Sequence, residues 1–66
     1  MAQISGLIIA HPEITSFGEL EELVKEAARR GEIHLVFDLK PEYPDTPRQW
    51  QDRLETAFTS VIGDRR

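Results

Sequence analysis

The chain contains no cysteine. Disulfide cross-links, thiolate metal sites and a cysteine nucleophile are therefore excluded. Two histidines are too few for an all-histidine zinc site within one chain. The longest uninterrupted apolar run is Leu7-Ile8-Ile9-Ala10, far short of the roughly 20 residues a membrane-spanning helix needs. The N-terminus lacks a basic region followed by a long apolar stretch, so no secretory signal is read there. The glycines Gly6, Gly18, Gly31 and Gly63 never cluster into a phosphate-cradling loop. Ser5, Ser16 and Ser60 lie outside any G-x-S-x-G setting. Basic charge is also scarce, with 8 Lys and Arg against 12 Asp and Glu and a formal net charge of −4. Nucleic acids and anionic membranes draw basic surfaces through their phosphates, so neither is an expected partner. Together these absences predict no cofactor, no metal, and a cytoplasmic location.

What is present fits one domain. Sixty-six residues bury only about 60% of the surface exposed by the unfolded chain, so such a domain is marginal by default. Small domains add a disulfide, a metal or a partner subunit. With the first two excluded, oligomerisation is the expected staple.

Hydrophobic patterning predicts β–α–β–α. A strand is expected over 4–10, where Leu7, Ile8 and Ile9 form the continuous apolar run of a strand covered on both faces. His11-Pro12-Glu13-Ile14-Thr15 then connects to a helix over 17–30. Ser16 reads as its N-cap, with Glu19 completing a capping box. Phe17, Leu20, Leu23, Val24, Ala27 and Ala28 make one apolar stripe. Early glutamates and the late Arg29-Arg30 match the helix dipole, Glu21 and Lys25 form an i,i+4 pair, and Gly31 is placed to end the helix. A second strand is expected over 33–39. Ile33, Leu35, Phe37 and Leu39 form its core face by period two, with His34, Val36 and Asp38 opposite. Lys40-Pro41-Glu42-Tyr43-Pro44-Asp45 is a stiff connector. Thr46, Pro47 and Gln49 read as cap, first residue and capping-box partner of a helix over 47–62. Its stripe is Trp50, Leu54, Ala57, Phe58, Val61 and Ile62, and Gly63 ends it before the polar tail Asp64-Arg65-Arg66.

The fold class is thus α/β, or α+β: a small two-layer domain with two parallel strands, since a helix carries the chain back between them. Two strands alone are marginal and leave two open edges. A homodimer that completes a larger sheet resolves both; the alternative is a monomer in which Trp50 and Phe58 close a compact three-layer core.

Candidate chemistry is sparse. Ligands on parallel α/β sheets bind beyond the carboxyl ends of the strands, which here hold His11, Glu13, Asp38 and Lys40. His11 with Asp38 as its orienting partner is the one pair of types suited to proton transfer. The same positions are polar in any wet strand exit, so no catalytic residue is assigned. His11, Glu13, His34 and Asp38 have metal-ligand hardness, but about four residues of strand, roughly 13 Å, separate His34 from Asp38. Arg48, Trp50 and Arg53 could suggest a nucleic-acid face, yet Asp52 and Glu55 interleave with them and Trp50 lies on the apolar stripe. Lys40-Pro41-Glu42-Tyr43-Pro44 has the character of a groove-binding extended peptide, but a rigid connector is needed there in any case. The leading expectation is a non-enzymatic interaction module that self-associates and regulates a protein partner. The alternative is a small oligomeric enzyme or ligand-binding protein using His11 and Asp38.

Overall fold

The computed structural model describes residues 2–64. Within them the chain runs β1 (Ala2–Gln3), α1 (Ile4–Ala10), α2 (Phe17–Arg29), β2 (Leu35–Val36) and α3 (Trp50–Asp64). It is a small mixed α/β fold with three helices and a two-stranded sheet. The strands are parallel, with Ala2 beside Leu35 and Gln3 beside Val36. None of the helices is long and apolar enough to cross a membrane. The tail residues Arg65 and Arg66 lie outside the described residues.

The strand expected over 4–10 is instead helix α1, preceded by a strand of two residues. The residues fit both periods. Ile4, Leu7 and Ile8 also stand at i, i+3 and i+4, and a short apolar run does not discriminate a buried strand from a helix. A strand carrying Leu7, Ile8 and Ile9 in succession needs cover on both faces. As a helix, the segment buries Ile4 and Leu7, tucks Ile8 half away, and leaves Ile9 at 77% exposure. That costs one exposed side chain in place of an entire covering layer.

The strand expected over 33–39 shrinks for a related reason. β2 pairs only as far as β1 stays extended, and β1 turns into helix after Gln3. The face expected to be core is correspondingly incomplete: Leu35 and Phe37 are half-buried, Ile33 is 67% exposed and Leu39 40%.

α2 occupies Phe17–Arg29, where its local signals place it. Ser16 Oγ accepts the Glu19 N–H at 3.2 Å, and the Glu19 carboxylate accepts the Thr15 N–H at 2.6 Å. At the other end Gly31 has φ 103°, a conformation open to glycine at little cost. This lets Gly31 N–H reach Ala28 C=O and Glu32 N–H reach Ala27 C=O, both at 3.1 Å, which is the double closure of a Schellman end. The expected Glu21–Lys25 pair is not the one formed. Lys25 binds Glu22 at 3.1 Å, while Glu21 crosses to Arg53 of α3, also at 3.1 Å.

The helix expected over 47–62 begins at Trp50 and continues through Gly63 to Asp64. Thr46 does not cap it. Its hydroxyl accepts the Tyr43 N–H at 3.1 Å and its own N–H donates to Tyr43 C=O at 3.1 Å, closing a turn over 43–46. A threonine beside a Pro-Asp turn can serve either end, and here the turn wins. The core lies where the three helices meet: Ile4 and Leu7 of α1, Phe17, Leu20, Val24 and Ala28 of α2, and Leu54, Ala57 and Phe58 of α3.

Candidate functional site

His11 and Asp38 are not brought together. The seven residues of α1 span about 10 Å, with Asp38 bound at one end and His11 at the other. His11 is the C-terminal cap residue of α1, and its Nδ1 lies 3.0 Å from Glu13 Oε2. The Glu13 carboxyl sits below its ordinary pKa, held there first by its own backbone N–H and then by the His11 ring.

Asp38 is occupied with α1. It accepts the Ser5 N–H at 3.0 Å and the Ser5 hydroxyl on its second oxygen. The strand pairing explains the meeting. β1 runs directly into α1 and β2 directly into the stretch that carries Asp38, so the paired ends bring Ser5 and Asp38 together. The carboxylate thus binds an N–H that the helix leaves unsatisfied, where its charge also complements the helix dipole. Its pKa is lowered, chiefly by the Ser5 hydroxyl and then by the Ser5 N–H.

Asp45 does the same for α2. Its two oxygens accept from Phe17 N–H at 2.6 Å and Gly18 N–H at 3.3 Å, and the Phe17 bond is the main cause of its lowered pKa. The connector between β2 and α3 therefore carries two aspartates that close the first turns of two other helices. These carboxylates act as structural anchors, with their lone pairs directed at backbone donors.

Of the remaining polar candidates, His34, Lys40 and Arg48 are exposed, and Arg53 is held within the fold. Arg53 lies over the Phe17 ring at 5.9 Å while binding Glu21, so it ties α3 to α2. Trp50 meets Phe37 edge-on, with centroids 6.0 Å apart. In the connector, Pro41 is fully buried and Tyr43 half-buried. Burial raises the Tyr43 hydroxyl pKa, and the Glu19 carboxylate adds to that. The segment read as a possible docking peptide is folded onto its own domain. Among the described residues no three His, Asp or Glu side chains converge to hold a metal ion.

What stands out is apolar. A groove of about 300 Å3 runs between β2 and α3, lined by Ile33, Leu35 and Phe37 on one side and Phe58 and Ile62 on the other. His34, Glu55 and Thr59 form its polar margin. Along this groove Ile33, Leu35 and Phe37 of the period-two face from the sequence meet the last turns of α3 and are only partly covered. The signal was available in the pattern: four apolar residues alternating over 33–39 exceed what one partner of two strand residues can shield. The Asp45 cap, in contrast, had no local signature.

Comparison with protein-family models, with curated proteins and with solved structures finds no match to this chain.

Proposed function

We propose that the chain is a non-enzymatic interaction module that self-associates, with the groove between β2 and α3 as its working surface and a second copy as the first occupant. One observation carries this reading: Ile33, Leu35 and Phe37 line the groove with Phe58 and Ile62, yet Ile33 is two-thirds exposed and Leu35 and Phe37 are half-covered. Apolar side chains gathered along an open sheet edge favour another chain over water. The size of the domain supports the same reading, since a partner subunit adds buried surface to a chain of 66 residues that is marginal by default. The polar constellations point away from catalysis, because Asp38 and Asp45 are spent on helix ends. Regulation of a protein partner would then depend on what the dimer presents.

The test is a dilution series followed by amide NMR. Self-association through this groove moves resonances of 33–37 and of the facing side of α3 with concentration, and leaves the first turns of α2 in place. Spectra unchanged from low micromolar to millimolar concentration contradict it.

A further inference from the structure

We infer that the second copy joins through β2 itself, antiparallel, with Val36 facing Val36 of the second copy. This rests on the self-association reading above and specifies its geometry.

The free edge of β2 is set by backbone parity. Ala2 N–H donates to His34 C=O at 2.9 Å. Even-numbered residues of this stretch therefore turn their backbone groups toward β1, and alternation turns those of Ile33, Leu35 and Phe37 to the opposite edge. Among the described residues the sheet has no third strand on that edge. An antiparallel partner there must set odd residues opposite odd and even opposite even. For two identical copies, the nearby symmetric registers centre on Leu35, Val36 or Phe37.

Charge and hydrogen bonding separate the three. Centring on Leu35 places Glu32 opposite Asp38, twice across the symmetry axis, which sets like charges face to face. Centring on Phe37 places Pro41 opposite Ile33, where the missing proline N–H falls at a ladder position. Centring on Val36 sets no like charges and no proline against a ladder position. Glu32 meets Lys40, Ile33 meets Leu39 and Leu35 meets Phe37, while His34 stands opposite Asp38, whose carboxylate stays on Ser5. The segment 32–40 is chemically palindromic: acid, apolar, imidazole, apolar, valine, apolar, acid, apolar, base. The inner pairs lie on the extended stretch, and the outer ones flank the bend at Leu39. Such a twofold contact is isologous and closes at two copies. It yields one four-stranded sheet with both α3 helices on the same face. It also sets Ile33 against Leu39, two large apolar side chains that the single chain leaves exposed.

The native chain has no thiol, so a single introduced cysteine reports the register. Opposed residues of a non-hydrogen-bonded antiparallel pair stand about 4.5 Å apart between Cα atoms, within disulfide reach. V36C should oxidise to a covalent dimer at micromolar concentration. L35C should not, because its two copies would stand diagonally at roughly 8–9 Å. A spin label on H34C, an exposed position on the polar margin of the groove, provides a second reading through distance alone. Its backbone attachment points should lie roughly 14 Å apart in the proposed register, against about 8 Å for centring on Leu35 and about 20 Å for Phe37. A native dimer in which L35C cross-links faster, or whose label spacing fits another register, overturns the pairing and leaves self-association standing. A native chain that stays monomeric overturns both.

Discussion

The Asp38 carboxylate grips Ser5, 33 residues earlier in the chain, through both its backbone N–H and its hydroxyl. This contact stands where β1 becomes α1, and it provides the first-turn partner that Gln3, the N-cap residue, does not supply from its side chain.

Asp38→Ala should therefore loosen α1 selectively. A lost N-terminal cap in a domain of this size lowers the melting temperature by about 5 °C. Hydrogen exchange should accelerate at 5–8 before it does so in α2. Asp38→Asn, which keeps an acceptor, should retain part of the protection. An unchanged melting curve in Asp38→Ala would remove the cap from the account.

Stability should also fall in acid through Asp38 and Asp45. Both have folded-state pKa values below the ordinary carboxylate value, Asp38 through Ser5 and Asp45 through Phe17. A depressed folded pKa contributes stability that is fully present above the unfolded value, near pH ~3.9. That contribution is lost as pH falls through the lower folded values. Melting temperatures measured at pH 6 and pH 3 should thus differ more for the native chain than for the double variant Asp38→Asn/Asp45→Asn. Equal acid sensitivity would show that other carboxylates control the transition.

The helical reading of 4–10 predicts an uneven substitution pattern. Leu20→Ala and Ile4→Ala empty fully buried sites and should each cost about 2–5 kcal/mol. Ile9→Ser alters a side chain that is mostly in water and should stay within ~0.5 kcal/mol of native in the monomer. Urea denaturation at low protein concentration measures all three. A strand covered on both faces would make Ile9 as costly as Ile4.

The parts of the fold that were legible are those whose determinants are local. α2 has its stripe, its Ser16 cap and its Gly31 end within one 16-residue stretch, and it forms where they place it. The parallel relation of two strands also follows from chain geometry, although the strands are shorter and β1 lies earlier than expected. Ile4–Ala10 was not legible because Ile4, Leu7 and Ile8 satisfy both periods, and the carboxylate at its first turn comes from Asp38. Thr46 presents a capping box in sequence but closes a turn with Tyr43. The placement of His11 and Asp38 follows from the same segment: with 4–10 a helix, Asp38 binds near its start and His11 stands at its end. The apolar face over 33–39 was visible as a pattern, and its exposure appears only when the length of β1 is known.

The central claim is that this open face is covered by a second copy. Sedimentation equilibrium of the unmodified chain, from low to high micromolar, tests it most directly. The account predicts a mass rising toward twice 7.6 kDa, and a return to the single-chain mass when Ile33→Lys puts a charge into the groove. A single-chain mass for the native protein across the whole range would contradict it.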